Sequence, residues 1–146
     1  MTAYTGTIVS EGRGGELGQQ FSAIGKYALT GALVNGDTIT WSNLLPKNTV
    51  KVIAFRFWSV ELDTGGTPTT LFTIGDGTDP DGYLTSKGGA VTLSNSLAGQ
   101  LSYFGDGALI GADDAASRDV VLTVTAAVAT GATSGTLWVE VLLEGL

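Results

Sequence analysis

The sequence predicts an all-β protein: an antiparallel two-sheet sandwich, jelly-roll-like, with an extended N-terminal arm. Three observations carry that expectation. Apolar and β-branched residues alternate with polar ones at period two along several runs. These runs are 5 to 12 residues long and are bounded by Gly, Asp or Asn. No run has a helical period, and the chain of 146 residues is long enough to close one core without metals or disulfides.

Residues 1–20 are interrupted by Gly6, Gly12, Gly14, Gly15 and Gly18, which reads as an extended arm ahead of a sandwich domain spanning 21–146. Strands are then expected at Ser22 to Val34 and Thr38 to Ser42. The run from Val50 to Leu62 is apolar on both sides in its middle. Val52, Ala54, Trp58, Val60 and Leu62 fall on one face, with Arg56 among them, and Ile53, Phe55 and Phe57 on the other. Such a strand is central, or has one face on the core and the other on a neighbouring subunit. Arg56 then needs a partner, or a bulge that turns it outward.

Shorter strands are expected at Thr69 to Ile74, Gly82 to Ser86, Ala90 to Ser94 and Gln100 to Phe104. The clearest alternation comes last. Val120, Leu122, Val124, Ala126 and Val128 oppose Asp119, Thr123 and Thr125, and the next run sets Leu137, Val139, Val141 and Leu143 against Thr136, Glu140 and Glu144. Joined through a glycine-containing connection, the two runs read as a long-looped hairpin. About nine strands with Gly and Asp turns suit a two-sheet sandwich, with a closed barrel as the other arrangement.

Composition excludes several functions. The chain has no Cys and no His, which removes thiolate nucleophiles, sulfur-ligated metals, the commonest general base and the middle member of a Ser-His-Asp arrangement. No enzyme is expected. Only 14% of residues are charged, against about 25% in ordinary soluble domains. A surface so poor in charge suits burial against other subunits, so an oligomer is expected. The net charge of −7 and the scattered positions of seven basic residues argue against nucleic acid as a partner. No run approaches the ~18 apolar residues of a membrane span, and the first residues lack a basic start and an apolar core, so neither a membrane nor an export signal is expected.

One segment could hold a cation. Gly75-Asp76-Gly77-Thr78-Asp79-Pro80-Asp81-Gly82 sets three carboxylates within six residues, the oxygen ligands that calcium prefers, yet the spacing is not that of an EF-hand. Asp76, Asp79 and Asp81 are thus the metal-ligand candidates. The plainer reading is a turn in which Asp caps backbone N–H groups, and no cofactor is otherwise expected. Asp113-Asp114 reads as a solvated turn, since adjacent carboxylates do not flank a cleft. Candidates for contact with a partner are the arm's apolar residues Tyr4, Ile8, Val9 and Leu17, the second face of the long strand at Phe55 and Phe57, and Trp138, which alternation places opposite Val139 and Val141.

Three stretches also resemble a known group. LLPKNTVKVIAFRFWSVELDTG (44–65), TPTTLFTIGDGTDPDGYL (67–84) and DVVLTVTAAVATGATSGTLWVEVLLEGL (119–146) resemble small virion proteins of tailed bacteriophages that decorate or cement the head. The resemblance covers about half the chain, and its most specific part is Asp63 to Leu84. It implies a non-enzymatic accessory protein on the outer surface of a capsid, made in the bacterial cytoplasm, trimeric, and bound to the major capsid protein. Other virion positions, such as a head fibre base or the tail, are an alternative. A carbohydrate-binding or adhesin sandwich is another, motivated by the aromatic residues and the acidic loop.

Overall fold

Period-two alternation gives each strand one apolar face, and such faces are satisfied when two sheets pack them together. The structure, a computed structural model, describes residues 1–10, 19–46, 50–59, 62–63, 71–83, 91–92, 99–104, 109–110, 118–126 and 130–145. Its strands are β1 (Ala3–Thr5), β2 (Thr7–Ser10), β3 (Gln20–Ala28), β4 (Thr38–Trp41), β5 (Val50–Ser59) and β6 (Leu71–Gly75). There follow β7 (Val91–Thr92), β8 (Gly99–Phe104), β9 (Leu109–Ile110), β10 (Val120–Ala126) and β11 (Thr136–Gly145). No α-helix occurs among the described residues.

One sheet has the order β1-β4-β10-β6-β7 and the other β2-β3-β11-β5-β8, with β9 also paired to β5. With the N-terminal strands set aside, the orders 4-10-6-7 and 3-11-5-8 are those of a jelly roll. The chain shuttles between the sheets, and its last long strand lies beside its first. All pairings among the described residues are antiparallel except β1 with β4.

The core fills the space between the sheets. Ile39, Trp41, Phe72, Ile74, Val120, Leu122 and Val124 come from one sheet, and Ala23, Phe55, Leu137, Val139, Val141 and Leu143 from the other. Every one is essentially inaccessible. Burying each large aliphatic or aromatic side chain contributes roughly 1.5–3 kcal/mol before entropy is counted.

Four local expectations change. The C-terminal runs are not a hairpin: β10 pairs with β4 and β6, whereas β11 pairs with β3 and β5. Their apolar faces meet across the core, which alternation alone cannot distinguish from lying side by side. The strand expected at Ser22 to Val34 ends at Ala28, where Leu29 leaves the ladder to donate its N–H to the Gly135 carbonyl at 2.8 Å. Gly82 and Tyr83 belong to a turn, the Gly82 N–H donated to the Asp79 carbonyl and the Tyr83 N–H to the Ile74 carbonyl, each at 3.2 Å, and residues 84–86 of the strand expected at Gly82 to Ser86 lie outside the described residues.

The fourth change is in β5. Leu142 pairs with Ala54 but Leu143 with Val52, so Ile53 is an extra residue in a bulge. The bulge reverses the alternation there. Val52 registers with core-facing Leu143, while Ala54, Arg56 and Trp58 register with the outward row Leu142, Glu140 and Trp138.

Candidate functional site

The N-terminal segment is extended but is not a separate arm. Ala3, Tyr4 and Thr5 pair in parallel with Thr38, Ile39 and Thr40, and two residues later Thr7 and Ile8 pair with Lys26 and Gly25 of the other sheet. Ten residues therefore strap the two sheets together. The crossing point is Gly6, whose N–H is donated to the Thr40 carbonyl at 2.8 Å. A Cβ on Gly6 would overlap the Trp41 indole. That indole is fully buried, and its Nε1–H is donated to the Lys26 carbonyl at 3.0 Å.

The same segment is tied by a buried acid. Asp37, 1% exposed, accepts the Thr2 N–H at 2.7 Å through Oδ1 and the Val34 N–H at 2.9 Å through Oδ2. Thr38 returns its N–H to the Thr2 carbonyl at 3.0 Å. Nothing in the sequence singles out Asp37 except its place directly after Asn35-Gly36, a turn signal that makes an acceptor for turn N–H groups useful. The domain boundary expected after residue 20 falls inside β3, where Gln20 pairs with Glu144.

These contacts redistribute the contact candidates. Tyr4 packs on the core, its ring 5.3 Å from that of Tyr27, and Ile8 packs there too. Phe55 is wholly buried, its ring 6.1 Å from that of Tyr83. All three are held by the fold, since the strap turns Tyr4 and Ile8, and β5 turns Phe55, towards the space between the sheets. Val9, 49% exposed at a bulge in β2, stays on the surface. Leu17 and the side chain of Phe57 lie outside the described residues.

Trp138 is half-buried on the outward face of β11, and Lys26 Nζ stands 5.6 Å from its ring centroid. In register it lies between Lys26 and Trp58, and the next row runs Ile24, Glu140, Arg56. Arg56 finds its partner there, with Nη1 3.5 Å from Glu140 Oε1. The outer face of this sheet thus combines an aromatic ring, an apolar residue and charges of both signs. The outer face of the other sheet differs: half-buried Thr38, Thr40 and Thr123 lie on it with buried Thr73 and Val121, and none of these is charged.

In the acidic loop, Asp76 caps a turn. Its Oδ1 accepts the N–H groups of Thr78 and Asp79, each at 2.7 Å, and its own N–H is donated to the Asp79 carbonyl at 3.0 Å. A Cβ on Gly75 would overlap that carbonyl, so the turn requires glycine there. Asp79 and Asp81 stand side by side. Protonated, the Asp79 carboxyl can donate a hydrogen bond to Asp81, which raises it above its ordinary value, helped by partial desolvation and the Asp81 charge. Among the described residues no three acidic side chains gather as a metal-ligand set.

No protein-family model matches the chain, and no curated protein matches it. Two solved phage capsid assemblies contain a chain of this fold. A chain of the cyanophage Pam1 capsid asymmetric unit is 24% identical, with a TM-score of 0.69 over 92% of this chain and 90% of that one. A chain of the capsid of Ralstonia phage GP4 is 22% identical, with a TM-score of 0.64 over 93% and 90%. At these identities the likeness is one of fold. It spans nearly the whole of both chains.

With no His and no Cys in the chain, neither imidazole nor thiolate chemistry has a place on this scaffold. What the surface offers is contact: an aromatic, mixed-charge sheet face on one side and a hydroxyl-lined face on the other.

Proposed function

We propose that this chain is a bacteriophage capsid decoration (cement) protein, which binds the outer surface of the head and stabilises the shell. The observation that carries the reading is the fold, matched over 90% or more of both chains in two phage capsid assemblies. The resemblance of residues 44–65, 67–84 and 119–146 to small head proteins supports the same role. In this role the chain acts as a homotrimer against the major capsid protein, and its low content of charged residues, 14%, suits burial in such contacts. The outer face of β3, β11 and β5 is the surface best equipped for attachment, since Trp138 supplies the aromatic anchor that interface hot spots favour.

The test is reconstitution. Purified chain is added to heads that lack it, and bound copies and the temperature of head disruption are measured. Saturable binding with a raised disruption temperature is expected. Absence of binding, or binding with no gain in resistance, overturns the reading. Light scattering of the free chain at micromolar concentration is expected to give the mass of three chains.

A further inference from the structure

Val34 to Asp37 form a tight turn. The Asp37 N–H is donated to the Val34 carbonyl at 3.0 Å, and Gly36 has φ of 89°. A positive φ at the third residue is type II geometry, with Asn35 and Gly36 at the corner. Asn35 is exposed. Asparagine followed by glycine is the pair in which the side-chain amide is lost most readily, because a glycine nitrogen approaches the Asn carbonyl carbon with no Cβ in the way.

In the folded chain this turn is fastened on every side. The Gly36 N–H is donated to the Val124 carbonyl at 2.8 Å, and the Val124 N–H to the Asp37 carbonyl at 2.8 Å. The Asp37 carboxylate holds both the Val34 and the Thr2 N–H groups. The Met1 side chain rests beside Gly36, its Cγ 3.3 Å from where a Cβ would stand.

We propose that Asn35 is a non-enzymatic deamidation site whose rate is set by the N-terminal strap. In the reaction the Gly36 nitrogen gives up its proton and bonds to Asn35 Cγ. The bond from Cγ to the side-chain nitrogen breaks, and that nitrogen leaves with the proton as ammonia. Water then opens the cyclic imide at either carbonyl, leaving aspartate or isoaspartate at position 35. No oxidant or reductant is needed.

The fold opposes the first step twice. The Val124 carbonyl holds the proton that must leave, and the type II turn keeps the peptide plane between residues 35 and 36 rotated away from ring closure. Both obstacles disappear only when the turn lets go of β10, and the strap's bonds from Thr2 to Asp37 and Thr38 resist that release. The isoaspartate product lengthens the main chain at the turn and adds a carboxylate next to Asp37. Reclosure is thereby impaired, and the change runs one way.

The experiment incubates the full chain at mildly alkaline pH and follows residue 35 by peptide mapping and isoaspartate-specific methylation. A synthetic peptide of residues 31–40 is the unprotected reference. The native chain is expected to react at least tenfold more slowly than the peptide, a protection equivalent to about 1.4 kcal/mol of opening free energy. Gly6→Val, whose side chain would overlap the Trp41 indole, is expected to release the strap and bring the rate towards that of the peptide. If Gly6→Val does not fold, Thr2→Pro, which removes the N–H donated to Asp37, takes its place. A native rate equal to the peptide's overturns the proposal. So does a variant whose strap is released, by amide exchange of residues 3–8, yet whose Asn35 stays as protected as in the native chain.

Discussion

The backbone of Gly6 runs across the indole of Trp41 with no room for a side chain between them. Trp41 ends β4 in one sheet, and its Nε1–H reaches the Lys26 carbonyl of β3 in the other. The strap must therefore cross at a glycine, over Trp41, the largest fully buried side chain among the described residues. Order in the first ten residues and packing of the core are thus one feature.

Gly6→Val forces either the indole or the strap to move. Overpacking of this kind costs about 1–3 kcal/mol. Denaturant unfolding monitored by tryptophan fluorescence is expected to show a lower midpoint and a smaller m-value, because the strap's surface is already exposed before unfolding. A lower midpoint with an unchanged m-value would instead mean that the core yields and the strap stays docked.

Asp37 and Asp119 allow burial to be weighed against a similar bond. Both accept backbone N–H groups, Asp37 those of Thr2 and Val34 from a fully buried position, Asp119 that of Asn43 at 2.7 Å in a solvent-exposed bond. Asp37→Ala removes a buried acceptor from two part-buried N–H donors and is expected to cost about 1–3 kcal/mol. Asp119→Ala leaves its donor to solvent and is expected to cost less than about 1 kcal/mol. Chemical denaturation of the two variants under one set of conditions checks the order.

Strands were legible in the sequence where alternation was strict and local. β10 and β11 stand where Val120 to Ala126 and Leu137 to Leu143 alternate, and β4 is at Thr38 to Trp41. Which sheet each strand joins was not legible, because Leu122 and Val139 alternate in the same way whether their strands lie side by side or face to face. The charge of Arg56 within an apolar run called for a bulge or a partner, and both are there, but the bulge's position at Ile53 was not legible, since an extra residue in an unbroken apolar run leaves no mark. Glycine misled most at the N-terminus. Gly6 reads as a break, yet it is the residue that lets the strap change sheets. Of the candidate site, Trp138 was placed on its outward face by alternation alone, while Asp37 carried no pattern to betray its burial.

Asp79 and Asp81 make a pH prediction with a definite sign. The Asp79 carboxyl is raised in the folded chain, first by its hydrogen bond with Asp81. The folded state then holds a proton that the unfolded state releases, so this contribution to stability is fully present below the ordinary Asp value of 3.8 and is lost as pH rises through the raised one. In Asp81→Asn the like-charge neighbour is gone. NMR titration is expected to move the Asp79 value back towards ordinary, and the stability of the variant relative to the native chain is expected to rise as pH increases through that window. An Asp79 titration unchanged by the substitution would show that the two carboxyls do not share the proton.

Two substitutions on opposite sheets distinguish which face meets a shell. Trp138 and the Arg56–Glu140 pair occupy one outer face, and the pair itself is worth little to folding, since Arg56 is 47% exposed and such pairs contribute under about 1 kcal/mol. Threonines occupy the other face. Trp138→Ala removes a half-buried ring whose loss the core does not feel, so its effect on unfolding is expected to stay near ~1 kcal/mol, the average for a point substitution. Its effect on attachment to heads is expected to be larger, about 2 kcal/mol or more, as for an aromatic anchor at an interface centre. Thr123→Ala, on the opposite face, is expected to leave attachment unchanged. If the two results are exchanged, the hydroxyl-lined sheet is the one that docks. If Trp138→Ala instead abolishes calcium-dependent binding to a glycan array and leaves head attachment intact, the ring is a sugar platform, and Lys26 above it, 5.6 Å from its centre, is a group the sugar must displace.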